Sequence, residues 1–585
     1  MTFRPALFLW LLLLGSTASG RPADAPVMPL DELQPGMQGE VWTVFQGTEP
    51  EPFKVEVTGV VRNALGPGKS LILCQLTDER VQKMGAVAGM SGSPLYINGR
   101  LAGALAYQVQ KFETVRYAGF TPVEDLIEVS RKSAATIAAG TAANRGSLAV
   151  RTADANPAGT FQPLTPVFAF GGIAPSVVDW LAPHFNALGL RMTGFGGQMV
   201  PAPAADARRS LQPGDAVAVA VTTGDITLAA TGTVSYVEDD RVVAFGHPMM
   251  SLGEVALPMA RAEIVAILPS NLNSLKVANT GEIIGTINQD RLSAVAGELG
   301  PVPAMMPVEI TINRPGEQPK SLRFSAARHP QLTPVVIGAG AAQAIMGSND
   351  AGLTNGARIQ ADFVFPNGEQ VPTIRLLSGP QGISQGLNDF VRDIAAVLQN
   401  PYESVFPSGI RVQVTPLAAN PQATLESVQL SRSVIAPGQS LEVTIAWRDY
   451  PGVPAQETIA IPVPADWQGK TLELVAANGV ALDQLTGRAN PITPAQLRSF
   501  SSLLGVVRGY REPDGLYIAV VEGTRLFIDQ ATSTRELPGS LERIARQADE
   551  SRYYSRPALA PLWETRRLDG RIVTTTLRRS FRVAD

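Results

Sequence analysis

The chain of 585 residues carries 48 lysine and arginine residues against 52 aspartate and glutamate residues, a net charge of −4. This balance provides no basic surface for nucleic acid or for an anionic membrane, so neither is predicted as a partner. The length predicts about three or four domains, and the 45% of hydrophobic residues indicate that they are folded. The 54 glycines and 46 prolines, scattered among β-branched residues, indicate a mainly β protein.

The N-terminal segment 1–20 has the pattern of a secretory signal peptide. Arg4 precedes an apolar run over 6–14, and small residues follow around Ala18 and Gly20. The apolar run is short for a membrane span, so we expect an exported protein, periplasmic or extracellular, with no stable membrane insertion after signal removal. An uncleaved N-terminal anchor is the alternative interpretation.

Two segments begin with the same four residues, Leu-Gln-Pro-Gly, at 33–36 and 211–214. Each continues into an alternating strand, a polar turn with glycine and a second alternating strand. This is the pattern of a β-meander, and its recurrence predicts an internal duplication that forms two related β units.

Cys74 lies in the apolar, strand-like run 70–76 and is the only cysteine of the sequence. A buried, inert thiol is predicted there. One cysteine and three dispersed histidines allow neither a disulfide nor a zinc site, so no metal and no cofactor are predicted.

The sharpest local feature is the string Ala-Gly-Met-Ser-Gly-Ser-Pro at 88–94, which precedes the hairpin signal Asn98-Gly99. It resembles the serine motif of chymotrypsin-like barrels. A serine between glycines leaves backbone N–H groups accessible beside its hydroxyl, so Ser91 is a candidate nucleophile, and the amides of Gly89 and Ser91 are candidate oxyanion donors. An ordinary glycine-serine turn is the alternative.

A serine hydroxyl needs a base to become a good nucleophile, and the three histidines are the candidates. His184 follows a short proline-bounded helix at 175–183, and His329 lies in a polar stretch; both are predicted to be surface or loop residues. His247 ends an apolar run in Gly-His-Pro, where a strand end presents one side chain. It is the candidate general base, because it belongs to the second β unit while Ser91 belongs to the first.

These motifs resemble those of the SpoIVB sporulation peptidase family. Residues 36–107, with Gly-Met-Ser-Gly-Ser-Pro at 89–94, are similar to the serine-bearing half of that family. Residues 243–300, with Phe-Gly-His-Pro at 245–248, are similar to its histidine-bearing half. The two halves occur here in reversed order, which a catalytic triad tolerates because it is defined by geometry rather than by chain order.

The resemblance implies a serine peptidase in which Ser91 is the nucleophile, His247 is the base and Asp78 is the orienting carboxylate. A solvated charge that opens a turn over 78–83 is the alternative role for Asp78.

A different pattern begins near residue 422, where alternating runs at 436–447 and 458–464 have the spacing of a small immunoglobulin-like sandwich. The sequence thus predicts a mainly β fold with two chymotrypsin-like β-barrel units, a C-terminal immunoglobulin-like β-sandwich and a small α+β tail. The predicted boundaries are a serine-bearing unit at 28–144, a linker or insertion with a short helix at 145–205, a histidine-bearing unit at 206–345, a β-rich extension at 346–420, the sandwich at 421–488 and the tail at 489–585.

The predicted function is that of an exported serine endopeptidase that acts on a protein or peptide substrate through an acyl-enzyme. Two alternatives stay open. One is a catalytically inactive binding or adhesion protein on a peptidase-like scaffold, which docks through the sandwich. The other is a peptidase limited to processing itself.

Overall fold

A computed structural model of the chain describes residues 25–109, 115–139, 161–164, 166–187, 191–193, 196–198, 210–270, 274–314, 316–347, 355–400, 405–488, 499–529, 532–535 and 553–585, together with positions 540 and 543. The predicted signal peptide lies outside these residues. The described chain is mainly β, as predicted. None of its helices combines the length and the apolar character that a membrane span requires.

The first β unit is a closed barrel of six strands. A short 3-10 helix, Leu30–Glu32, precedes it. Its elements are β1 (Gln38–Val44), β2 (Pro50–Val61), β3 (Leu71–Leu76), α1 (Glu79–Met84), β4 (Pro94–Ile97), β5 (Arg100–Gln108), β6 (Tyr117–Pro122) and the following helix α2 (Val123–Ala139). The strands pair in the ring order β1-β2-β3-β6-β5-β4, and β4 pairs back with β1. Inward-facing side chains such as Phe53, Cys74 and Phe120 fill the barrel.

Cys74 is buried on β3, and burial raises the pKa of its thiol. The prediction of a buried, inert thiol is therefore supported by its surroundings.

A connecting segment follows the first barrel and carries the predicted short helix. Its elements are β7 (Gln162–Pro163), β8 (Val167–Gly171), α3 (Pro175–Ala187), β9 (Arg191–Thr193) and β10 (Gly196–Gln198). Helix α3 begins at Pro175, where a proline needs no hydrogen-bonded amide. Within it, His184 is half-buried and stacks on Trp180, with ring centroids 5.0 Å apart.

The second β unit repeats the architecture of the first. Its strands are β11 (Ala216–Gly224), β12 (Thr227–Glu238), β13 (Arg241–Ala244), β14 (Gly253–Leu268), β15 (Leu275–Arg291) and β16 (Ala294–Leu299). They close in the ring order β11-β12-β13-β16-β15-β14, which matches the first barrel strand for strand. The shared Leu-Gln-Pro-Gly turns are equivalent too, because Gly36 donates to Val57 at 2.8 Å and Gly214 donates to Val234 at 2.7 Å.

The extension after the second barrel continues its sheet. Its elements are β17 (Met305–Ile312), β18 (Lys320–Ala327), α4 (Leu332–Met346), β19 (Gly356–Val364), β20 (Gln370–Ser378), α5 (Gly379–Leu398) and β21 (Gly409–Pro416). Strand β18 pairs with β11 of the barrel. Helix α5 lies within the extension over 346–420, which the sequence predicts to be β-rich. Its buried Leu387, Phe390, Val391 and Ile394 recur at helical spacing and pack into the shared core.

The C-terminal region is a two-sheet sandwich that includes much of the predicted tail. Its elements are β22 (Gln422–Leu430), β23 (Val434–Ile435), β24 (Ser440–Asp449), β25 (Val453–Pro462), a 3-10 helix (Ala465–Trp467), β26 (Thr471–Ala477), α6 (Gly479–Thr486), α7 (Phe500–Arg508), β27 (Leu516–Asp529), β28 (Thr532–Arg535), β29 (Tyr553–Arg567), β30 (Ile572–Val573) and β31 (Leu577–Val583). One sheet runs β25-β24-β22-β30, and the other contains β23, β31, β26, β27, β28 and β29. The two therefore share one core, which includes Trp467, Ile518 and Phe581. In the tail the sequence also predicts a helix over 494–504, of which positions 494–498 lie outside the described residues.

His329 lies in the loop before α4, as predicted, but it is buried and not at the surface. Its Nδ1 accepts hydrogen bonds from the amides of Gln331 and Leu332, each at 3.3 Å, at the start of α4. An imidazole nitrogen that accepts carries no proton, so this ring is neutral. His329 thus acts as a cap for α4, which is why a polar residue occupies a buried position.

Burial lowers the pKa of His329 from 6.5 to about 4. Between these values the unfolded chain binds a proton that the folded chain does not, so stability is lost as the pH falls from about 6.5 to about 4. We expect this group alone to remove about 3 kcal/mol over that range, measured by urea unfolding at several pH values. His329→Asn keeps an acceptor without a titrating group and should lack this loss. Parallel pH curves for the two proteins would contradict the assignment.

Candidate active site

The loop that carries Ser91 is shaped by two glycines in left-handed backbone conformations. Gly89 has φ +96° and Gly92 has φ +95°, a region that other residues avoid. The amide of Met90 donates to the carbonyl of Val87 at 2.9 Å, and the Ser93 hydroxyl donates to the carbonyl of Met90 at 2.6 Å. These contacts fold residues 87–93 into consecutive tight turns just before β4.

The serine loop packs directly on the backbone of the second barrel. The amide of Thr233, on β12, donates to the Ser91 carbonyl at 2.8 Å, and its hydroxyl donates to the Gly89 carbonyl at 3.2 Å. A Cβ added to Gly92 would lie 2.0 Å from the Thr233 carbonyl oxygen and 2.5 Å from the amide nitrogen of Phe245. The close approach of the two barrels therefore depends on the glycine after Ser91.

Two amides of the serine loop, those of Gly89 and Ser91, were predicted to be oxyanion donors, and this role stays a prediction. In the described part of the chain, the amides of Gly89 and Ser91 donate to no backbone carbonyl, whereas the alternating neighbours Ala88, Met90 and Gly92 each donate to one. Such N–H groups can donate to an oxygen that gains negative charge beside the serine hydroxyl.

The loop that carries His247 follows β13 and is held by the first barrel. Phe245 has φ +69° and Gly246 has φ +64°, so the chain reverses sharply before the histidine. The Thr121 hydroxyl donates to the Gly246 carbonyl at 2.6 Å. A Cβ on Gly246 would lie 3.3 Å from that of Ala106 on β5, so this loop also touches the first barrel. The fold thus brings the segments of Ser91 and His247 together where the barrels meet.

The hydrogen bond of the His247 ring defines its tautomer. Nδ1 lies 2.8 Å from the carbonyl oxygen of Pro248, and a carbonyl oxygen can only accept, so Nδ1 carries the proton. In the neutral ring the lone pair then resides on Nε2, the atom that can act as a base.

A carboxylate that the sequence did not single out fixes the chain after His247. Asp290, on β15, accepts hydrogen bonds from the amides of Met249, Met250 and Leu252 at 2.7, 2.8 and 3.0 Å. Burial raises the pKa of Asp290, although these amides oppose the effect by favouring the ionised form. The sequence did not indicate this role, because a single acidic residue in a strand does not reveal which groups it will contact.

Asp78, the predicted orienting carboxylate, makes the contacts of a helix cap. Its Oδ1 accepts from the amide of Arg80 at 2.9 Å and from the guanidinium of the same residue at 3.2 Å, at the start of α1. Burial tends to raise the pKa of Asp78, but the bonds from Arg80 prevail and lower it. These contacts fit the alternative role of a charge at a turn, and the triad role stays a prediction.

The predicted nucleophile and the predicted base are enclosed by the protein. Ser91 is 1% exposed and His247 is 0% exposed, so a polypeptide reaches them only after neighbouring segments move. A separate groove of about 710 Å³, lined by residues of β17, β18 and β21, includes neither of them. The described residues contain no group of three or more His, Cys, Asp or Glu side chains able to hold a metal ion.

Two six-stranded barrels of the same strand order meet where the serine loop and the histidine loop lie. Residues 18–121 match the model of the SpoIVB peptidase S55 family, which confirms the resemblance in the part of the chain that contains Ser91 and supports a serine peptidase. The matched segment ends before the second barrel and His247. Neither the curated proteins nor the solved structures gave a match.

Proposed function

We propose that the chain is an exported serine endopeptidase that cleaves protein or peptide substrates through an acyl-enzyme, with Ser91 as nucleophile and His247 as general base. One observation carries the proposal: the backbone of Gly92, next to the serine, touches that of Phe245, two residues before the histidine. The family match over 18–121 supports the same reaction class.

The chemistry follows from the two loops. As the Ser91 Oγ bonds to the substrate carbonyl carbon, its proton passes to Nε2 of His247, and the carbonyl electron pair moves to oxygen. The amides of Gly89 and Ser91 donate hydrogen bonds to that oxyanion. Collapse of the intermediate breaks the C–N bond, and the leaving amine takes the proton from His247. Water then attacks the acyl-enzyme by the same route, which releases the acid and restores the serine.

A fluorophosphonate probe tests the nucleophile without a known substrate. The activated Oγ displaces fluoride from phosphorus, so the wild-type protein should be labelled and a tryptic digest should locate the label on Ser91. Ser91→Ala should take up no label, while Ser93→Ala, which changes a serine of the same loop, should still be labelled at Ser91. A wild-type protein that stays unlabelled, or a label elsewhere, would refute the proposal.

The burial of Ser91 and His247 favours one competing function, a binding protein on a peptidase-like scaffold that no longer catalyses. In that case the fold would still present two docked barrels, but the serine would have no activated hydroxyl. The probe separates the two, because an inert serine does not displace fluoride at any probe concentration.

A further inference from the structure

Lys276 is a buried lysine in a place where an apolar residue would be expected. It lies on β15 of the second barrel and is 5% exposed. Its Nζ donates to the Thr43 hydroxyl on β1 of the first barrel, at 2.8 Å. Among the described residues no carboxylate is near enough to offset its burial, which lowers the pKa of its ammonium to about 7. The lysine therefore joins the two barrels through a single neutral acceptor.

The strand that carries Lys276 is bonded to the serine loop. The amide of Lys276 donates to the Ala88 carbonyl at 2.9 Å, and the amide of Ala88 donates to the Ser274 carbonyl at 3.0 Å. A Cβ on Gly89 would lie 3.0 Å from the Cβ of Lys276 and 3.2 Å from its Cγ and Cδ. The methylene stem thus lies along Gly89, whose amide is one of the two proposed oxyanion donors.

The far end of the lysine lies on the first barrel. Its acceptor Thr43 belongs to β1, the strand that pairs with β4 through Val41 and Leu95. Lys276 therefore contacts Gly89 of the serine loop with its stem and bonds with its amine to the strand beside β4, which follows that loop.

Stability does not explain this arrangement. Burying an amine without a carboxylate partner costs free energy, and an unbranched apolar side chain of the same length would fill the same space without that cost. Lysines that are buried and shifted in pKa occur more often where they serve a reaction.

We propose that Lys276 is a positioning residue of the peptidase site, which holds the Gly89 end of the serine loop so that its amide points at the oxyanion. This inference rests on the proposed function. The lysine acts through the backbone of the loop and not by contact with the substrate.

Lys276→Met tests the role, because it keeps the methylene stem and removes the amine. We expect the maximal rate of fluorophosphonate labelling to fall by about 10- to 100-fold, while the probe concentration that gives half of that rate changes by less than about threefold. The melting temperature should stay the same or rise, since a costly buried amine is gone. A residue with a merely structural role would lower stability and leave the rate of the folded fraction unchanged.

Two further variants complete the experiment. Thr43→Val removes the acceptor, and its combination with Lys276→Met should label no more slowly than the slower single variant, because the two residues act as one unit. Lys54→Met removes an exposed lysine of the same barrel and should label like the wild type. Wild-type rates in Lys276→Met, or a slower rate accompanied by a lower melting temperature, would overturn the positioning role alone. An unlabelled wild type would instead overturn the proposed function.

Discussion

His247→Ala is expected to lower the labelling rate of Ser91 by about 10⁴-fold or more, to the background of an ordinary serine. Without the imidazole, no base accepts the hydroxyl proton as the Oγ–P bond forms. The rate should be measured with increasing fluorophosphonate concentration, so that binding of the probe and reaction with the serine are separated. Thermal unfolding of the variant shows whether the loop after β13 still docks against the first barrel.

The histidine at position 184 provides the matched control. It stacks on Trp180 in α3 and belongs to neither the serine loop nor the histidine loop, so His184→Ala should be labelled at the wild-type rate. Equal labelling of His247→Ala and the wild type would reject His247 as the base, and the nucleophile would then need another acceptor for its proton.

The two barrels were predictable because their signals are local. The Leu-Gln-Pro-Gly turns at 33–36 and 211–214 fix left-handed glycines, and the alternating runs that follow fix which side chains face inward. Both therefore fold into equivalent strand pairs. The serine string at 88–94 was equally local, since its glycines form the turns seen before β4.

The polar residues that support the site were not predictable, because their burial depends on how distant strands meet. Asp290 looks like any acid in a strand until the loop at 249–252 is folded over it. Lys276 likewise contacts the serine loop only because the fold places β15 beside that loop. For Asp78 the local pattern suited a charge that opens a turn as well as a triad acid, and its contact with Arg80, two residues further on, is local in the sequence.

The same reasoning explains the two differences in the fold. Helix α5 lies among alternating strands. The spacing of its apolar residues fits a helix, but short apolar runs within it also fit a strand, so the pattern alone did not distinguish the two. The sandwich was predicted to end at residue 488, but β27 and β31 flank β26 in one sheet. Strands so far apart in the chain pair because their side chains pack into one core, and no local motif specifies the pairing. Ile518 and Phe581, for example, are both buried in that core.

Gly92→Ala is expected to destabilise the protein by about 4 kcal/mol or more and to abolish labelling of Ser91. Two effects combine at this position. The backbone has φ +95°, a conformation that is unfavourable for any residue with a Cβ. The added carbon would also lie 2.0 Å from the carbonyl oxygen of Thr233. Because both neighbours are backbone atoms, no side chain can move aside, and the barrels must separate where the serine and histidine loops meet.

Gly99→Ala is the control that separates these effects. Gly99 has φ +73° in the hairpin between β4 and β5, yet a Cβ there would meet nothing within 4 Å. Gly99→Ala should therefore lower the free energy of unfolding only by the conformational strain, about 1–2 kcal/mol, and leave the labelling rate of the folded protein unchanged. Urea unfolding and labelling of both variants give the comparison. If Gly92→Ala is no less stable than Gly99→Ala, the barrels do not depend on contact at this glycine, and the convergence of Ser91 and His247 loses its structural basis.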